Sequence, residues 1–313
     1  MPFTKTPQKF NGSIGTVEIG AGEKKTVIGG EKSFAFYSFD AECEVSPKIG
    51  VEVSDMEAEE IFDGLAEFYA GVNSVVEIAK KADSIEGADF ICLRFEGADP
   101  NGENKSVEDC VALAKEVVAA ITKPLVIAGC KNAEKDAQLF EKIADALQGK
   151  NVLFMSAKEE NYKGVGAAVG LAYGQKVGAE SAVDINLAKQ LNVLLTQLGV
   201  SKENIVMNIG SAAAGYGFEY VVSTFDRVKA AALSQNDGML QMPVITPVSF
   251  ETWTVKEAVM AESDMPEWGC REKRAVTMEV VTAAACLAAG SNAVILRHPD
   301  SVKTLSKMIK ELI

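Results

Sequence analysis

Histidine occurs once in 313 residues, as His298, and that scarcity removes several chemistries together. A Ser–His–Asp triad and a His-based metal site both lack parts. The six cysteines, Cys43, Cys92, Cys110, Cys130, Cys270 and Cys286, stand apart, with no C-x-x-C pair. That spacing builds no local zinc or iron–sulfur site and suggests no disulfide framework. Cys92 in an apolar run and Cys286 in an alanine-rich segment read as free buried thiols. No P-loop and no G-x-G-x-x-G is present. No stretch approaches ~20 apolar residues, so a transmembrane helix is excluded, and "MPFTKTPQKFNG" lacks a signal-peptide core. A cytoplasmic location is expected. Positive charge is also short: 31 Lys+Arg against 44 Asp+Glu leave a net charge of −13, which argues against nucleic acid or an anionic membrane as partner.

From about residue 48 the chain alternates short apolar runs with amphipathic segments. The runs are "IGVEV" (49–53), "ADFICLRF" (88–95), "PLVIAG" (124–129), "VLFMSA" (152–157), "KVGAES" (176–181), "IVMNIG" (205–210), "PVITPVS" (243–249) and "AVILRH" (293–298). Most are apolar on both faces, as parallel strands covered by helices must be. Helical spacing links them: Val107, Val111, Ala114, Val118 and Ile121 form one stripe, Phe218, Val221, Phe225, Val228 and Ala232 another, Val276, Val280, Ala283 and Leu287 a third. Ser106 with Asp109 resembles a capping box, Asp184 is placed to N-cap its helix, and Gly290 to end one. The last helix is expected to start after Asp300 or Ser301.

Eight such units over about 265 residues predict an α/β fold, a (β/α)8 TIM barrel spanning 46–313. A doubly wound sheet competes, but it would usually carry a glycine-rich turn after its first strand. Residues 1–45 stand outside the alternation. "GTVEIGAGEKKTVIGG" has the form of a β-hairpin, either a plug for the barrel's N-terminal end or an interface.

In this fold, function collects where strands end. The expected rim includes Asp55, Arg94, Glu96, Cys130, Lys131, Ser156, Lys158, Asp184, Asn208, Ser211, Thr246, Ser249, Arg297 and His298. It is polar but holds no evident reaction centre. His298 reads as a hydrogen-bonded residue at a strand end or as a general base. Asp55 and Glu96 are expected to pair with Arg94 or Arg297. The stretch "GSAAAGYGFEY" (210–220) puts small residues around Tyr216 in a strand-to-helix turn, suited to close approach of a ligand or merely to entering the helix. About 22 residues after the seventh strand carry both tryptophans, Trp253 and Trp268, as a lid, a ligand wall, an interface or a simple cover.

The motifs "SAAAGYGFEY" (211–220), "FETWTVKEA" (250–258), "GCREKRAVTMEVVTAAACLAAGSNAVILRHP" (269–299), "SFDAECEVSPKIGVEVSD" (38–55) and "SAVDINLAKQLN" (181–192) together resemble the small subunit of the corrinoid/iron–sulfur protein. That family is also the delta subunit of the acetyl-CoA decarbonylase/synthase complex. The likeness runs from about residue 38 to the C-terminus and departs at Ala213, where relatives tend to carry a larger residue. It implies a barrel shaped like the pterin-binding methyltransferases. It also implies a methyl-carrying heterodimer of the reductive acetyl-CoA pathway, working between a methyltetrahydrofolate methyltransferase and acetyl-CoA synthase as transient partners. Cobalamin and a [4Fe–4S] cluster would belong to the large subunit, and this chain would cap the corrinoid rather than catalyse. The residues expected at such a cap are Asn208, Ser211, Gly215, Tyr216, Gly217, Thr246, Ser249 and Trp253, with no metal ligand and no catalytic residue. The alternative is a pterin-dependent methyltransferase that holds methyltetrahydrofolate through Asp55 and Asn208.

Overall fold

The alternating runs close into a ring in the computed structural model, which describes residues 8–34, 36, 45–56 and 63–313. The antiparallel hairpin strands β1 (Thr16–Ala21) and β2 (Lys24–Gly29) come first. The eight parallel strands are β3 (Lys48–Ser54), β4 (Phe90–Arg94), β5 (Leu125–Ala128), β6 (Leu153–Ala157), β7 (Lys176–Glu180), β8 (Ile205–Asn208), β9 (Ile245–Thr246) and β10 (Ala293–Leu296). Their order is β8-β7-β6-β5-β4-β3-β10-β9, and a parallel bridge from Met207 to Val244 joins the two ends. Sequential neighbours with closure make a (β/α)8 barrel and exclude the doubly wound sheet. Cys43, and with it residues 38–44 of the quoted N-terminal motif, lies outside the described residues. Among the described residues no helix is long and apolar enough to cross a membrane.

Both faces of the strands are buried, against different partners. Phe90, Cys92, Val126, Leu153, Val206, Ile245 and Ile295 fill the barrel, while Val51, Ile91, Leu93 and Ile127 face the helices. Gly50 belongs to this packing: a Cβ there would lie 2.1 Å from the Phe90 ring, so β3 leaves room for the phenyl group that fills the interior.

The hairpin plugs the N-terminal end. Val17, Ile19 and Ile28 join the interior cluster and are fully buried. Its bonds to the barrel go to segments that precede strands: Gly20 N–H to the Asn151 carbonyl at 2.8 Å, Gly15 N–H to Gln241 at 2.7 Å, and Thr26 Oγ1 to Asp89 at 3.1 Å. A buried ion pair, Lys229 Nζ to Glu31 Oε1 at 3.1 Å, ties the segment after the hairpin to the helix wall.

Helix ends follow the expected chemistry with one exception. Ser106 Oγ accepts from Asp109 N–H and bonds its carboxylate, and Asp184 accepts from Asn186 and Leu187 N–H. Gly290, at φ +125°, ends the helix Arg271–Ala289. The exception is the last helix, Pro299–Leu312, which starts earlier than expected because His298 caps it, its Nδ1 accepting from Asp300 N–H at 3.1 Å. Two stripes are partly rotated. The helix Val107–Ala120 buries Ala114 as expected but also Cys110 and Val117, and Arg271–Ala289 buries Ala283 and Leu287 as expected but also Ala275, Glu279, Thr282 and Cys286, so Val107, Val276 and Val280 lie at the flanks.

Ile19→Ala is expected to cost about 2–5 kcal/mol, because a cavity opens inside a closed barrel. Urea unfolding measures this, and an unchanged midpoint would show that the hairpin is not part of the cooperative core.

Candidate functional site

At the C-terminal end, one carboxylate organises one side of the mouth. Glu52 projects from β3, the strand that pairs with both β4 and β10, so residues ending those strands reach it from either side. Arg94 Nη1 donates to Glu52 Oε1 at 3.1 Å, and Arg297 donates through Nη2 at 2.9 Å and Nε at 3.4 Å. Arg94 also meets Glu96 at 2.9 Å. The Arg94 guanidinium lies 4.2 Å from the Phe250 ring centre and that of Arg297 5.2 Å from the Trp253 ring. Complete burial acts to raise the Glu52 pKa, but the two guanidiniums, Arg297 above all, outweigh it and hold the carboxyl down to about 2.

A second buried carboxylate fixes the tryptophan. Glu279 accepts from Trp253 Nε1 at 2.8 Å and from the backbone N–H groups of Arg297 at 2.7 Å and His298 at 3.2 Å. Burial raises its pKa, with these donors opposing. The His298 ring stacks on Trp253 with an interplanar angle of 12°. Because His298 Nδ1 accepts a backbone N–H, its proton sits on Nε2, 2.9 Å from Glu272 Oε1. Glu272 in turn accepts from Gly64 and Leu65 N–H. His298 is therefore a bonded capping residue with both ring nitrogens engaged.

Among the described residues a larger and a smaller cavity open at this end, and Phe250 borders both. The larger, about 720 Å³, lies over β3, β4 and β10 between Leu65, Tyr69, Val72, Trp253 and Arg297. The smaller, about 120 Å³, lies over β5 to β8 and is polar, with Ser156, Lys158, Glu180, Asn208 and Ser211 in its wall. There Asn208 Nδ2 donates to Ser156 Oγ at 3.2 Å and to Glu180 Oε2 at 3.4 Å. Beside it, burial pushes the Cys130 thiol up to about 12, and its Sγ donates to Asp136 at 3.2 Å, so it is no nucleophile. Among the described residues no three His, Cys, Asp or Glu side chains gather as a metal site.

The eight residues expected at a ligand-facing mouth divide three ways. Asn208 and Ser211 line the small cavity; Ser249 and Trp253 line the large one. Thr246 is turned inward, fully buried against Ser291 at 2.8 Å. Gly215, Tyr216 and Gly217 line neither cavity. Their loop leans on the helix Arg271–Ala289 through Ala214 N–H to Thr282 Oγ1 at 3.1 Å, and Tyr216, 47% exposed, bonds Glu257. Gly215 and Gly217 take φ of +90° and +77°, so left-handed backbone alone accounts for both glycines within this chain.

Asp55 departs from expectation as well. It accepts from Gly97 N–H at 2.8 Å and faces Lys105 at 3.7 Å instead of an arginine, and it lines neither cavity. It therefore does not converge with Asn208. The residues missed in the sequence are Glu52, Glu272 and Glu279. Glu52 had a visible signal, a lone acid in the middle of "IGVEV"; the two helix acids had none.

The family model for CO dehydrogenase/acetyl-CoA synthase delta subunit matches residues 16–308. The acetyl-CoA decarbonylase/synthase complex subunit delta of Archaeoglobus fulgidus is 29% identical over 332 residues, covering 99% of this chain and 71% of that protein. Subunit delta 1 of Methanosarcina thermophila is 30% identical over 298 residues, covering 94% and 67%. Among solved structures, a dihydropteroate synthase of Xanthomonas albilineans with 4-aminobenzoic acid aligns with TM-score 0.58 at 14% identity, over 85% of this chain and 93% of that one. One of Coxiella burnetii with pteroic acid gives 0.56 at 10% identity, over 89% and 98%. At such identities the likeness carries the barrel fold alone.

The ionised Glu52 sets a pH dependence. Its folded pKa lies below the ~4.3 of a free glutamate, so its stabilisation is present above that pH and lost as pH falls toward 2. Glu279, raised, works in the opposite direction. Glu52→Gln is expected to lower unfolding stability at pH 7 by about 3 kcal/mol and to lose most of that deficit by about pH 2.5. Equal stability of variant and wild type at pH 7 would contradict the two-arginine lock.

Proposed function

The chain belongs to the CO dehydrogenase/acetyl-CoA synthase delta subunit family, and from that premise we propose that it is the small subunit of a corrinoid/iron–sulfur methyl carrier. In that role its barrel mouth caps a corrinoid held by a larger partner chain. One observation carries the non-catalytic assignment: the buried acids at this end, Glu52, Asp55, Asp136 and Glu279, all accept from groups of the same chain. Asp55 keeps one oxygen, Oδ2, without a hydrogen bond, but that oxygen faces Lys105 at 3.7 Å and Asp55 lines neither cavity, so it is not placed at a reacting atom as a general acid or base must be.

The residues fit a cap better than a holder. The only histidine is 2% exposed and has both ring nitrogens engaged, so this chain offers no free imidazole to cobalt. The Ser211–Gly217 loop is low and uncharged: a Cβ added at Gly215 meets nothing within 4 Å. Trp253 is rigid, held by Glu279 and His298. When bound, the corrinoid supplies the cobalt that carries the methyl group. The chain's own task is to exclude water and oxidants and to orient the ring edge. The iron–sulfur cluster is assigned to the large subunit, and the methyltetrahydrofolate methyltransferase and acetyl-CoA synthase are assigned as transient partners.

A second function, pterin binding, is favoured by the polar pocket around Asn208. Calorimetry with methyltetrahydrofolate separates the two: micromolar binding to the isolated chain that is abolished by Asn208→Ala would support the methyltransferase.

For the carrier subunit, co-expression with the large subunit is expected to yield a tight heterodimer, and this chain alone to purify without stoichiometric iron or cobalt. Stoichiometric iron in the isolated chain would sink the proposal. Gly215→Asn adds bulk where the backbone tolerates it, so stability is expected to change by about 0.5 kcal/mol or less while methyl transfer or assembly falls. Normal assembly and transfer in this variant would remove the loop from the cap.

A further inference from the structure

One helix of the barrel wall is apolar on its outer side as well as its inner one. Past the charged first turn of Arg271–Ala289, residues 275–289 hold a single charge, Glu279, and that carboxylate is buried on Trp253. The outward row is Thr277, Val281 and Ala288, with Ala284 and Ala285 half-buried beside it, and Val281 is 50% exposed. Other long helices of the wall turn charge to the outside. Val107–Ala120 exposes Lys115 and Glu116, and Ala133–Ala146 exposes Glu141 and Lys142. Five uncharged outward positions in succession are the pattern of a covered helix.

Size sets how much of the wall such a cover spans. At 19 residues the helix is about 28 Å long and offers about 300 Å² by itself. It packs between Phe218–Lys229 and Pro299–Leu312. The three side by side present about 700 Å², near the ~800 Å² that each partner gives to a standard stable interface.

The flanks differ in charge. Phe218–Lys229 exposes Glu219 and Asp226 against Arg227, one negative charge in excess. Pro299–Leu312 exposes Lys303, Lys307 and Lys310 against Asp300 and Glu311, one positive charge in excess. A matching surface carries an apolar strip with the charges in the reverse order.

The capping function calls for such a contact. A cap must open for the methyl donor and again for the acceptor, so the mouth cannot also hold two chains together permanently. We propose that this three-helix face is the permanent contact with the larger chain of the carrier, a contact that rests on the heterodimer reading above. The larger chain meets it with an apolar strip, a basic flank over Phe218–Lys229 and an acidic flank over Pro299–Leu312.

The test co-expresses the full chain with the tagged large subunit and measures the affinity of the purified pair. The double variant Val281→Glu/Ala288→Glu places two carboxylates at exposed positions. The urea midpoint of the isolated chain is expected to stay unchanged, while heterodimer affinity falls about 100-fold or more. Leu171→Glu makes the same change at a 44% exposed residue of a shorter uncharged segment, 164–172, and is expected to alter affinity by about twofold or less. A wild-type heterodimer that the double variant leaves intact, or that Leu171→Glu weakens equally, would overturn this inference alone. A homodimer of the isolated chain that the double variant abolishes while the heterodimer persists would give the face to a second copy and overturn it too. Absence of any wild-type heterodimer would overturn the heterodimer reading together with it.

Discussion

The carboxylate of Glu52, shared between Arg94 and Arg297, is the constraint from which the mouth of this barrel is built. It joins side chains from the first, second and last strands of the ring, so residues 245 positions apart in sequence meet in one bond. A buried carboxylate without counter-charge is strongly disfavoured, and removing one partner of such a cluster typically costs about 3–5 kcal/mol. Both guanidiniums are thereby fixed in place, and each presents its plane to an aromatic ring. Phe250 and Trp253, which shape the two cavities, owe part of their orientation to that pairing.

From there a second set of bonds runs outward. Trp253 is held by Glu279, the same glutamate ties down the backbone of Arg297 and His298, and His298 passes the constraint to Glu272 and the N–H groups of Gly64 and Leu65. A mouth wired in this way is rigid and has few groups free for acid–base work. Rigidity and exclusion of water suit a subunit that shields and orients a cofactor brought by another chain, and they contribute little to a catalyst that needs a free base.

The barrel was legible in the sequence because parallel strands buried on both faces leave uninterrupted apolar runs, and each of the eight expected runs holds one observed strand. The phase of the helices was less legible. In Arg271–Ala289 the inward row includes Glu279 and Thr282, polar residues that a search for apolar spacing steps over. Of the residues expected at the mouth, the positions beside a cavity were half legible. Asn208, Ser211, Ser249 and Trp253 stand at strand ends and face cavities, as position alone suggests. Thr246 shares that position but points to Ser291, because a strand end does not say which face a side chain takes. Asp55 was misread for a similar reason: its partners, Gly97 and Lys105, come from a loop whose path no periodicity encodes. Gly215 and Gly217 suggested close approach, and their left-handed backbone supplies a simpler cause.

The central claim, that this mouth is a rigid cap for a corrinoid held by another chain, is tested most directly by a structure of the chain with its large subunit and bound corrinoid. The account predicts the edge of the ring over the loops after β8 and β9, in contact with Tyr216 or Trp253, and no side chain of this chain on the cobalt. A corrinoid bound away from the barrel mouth, or ligated by a residue of this chain, would contradict it.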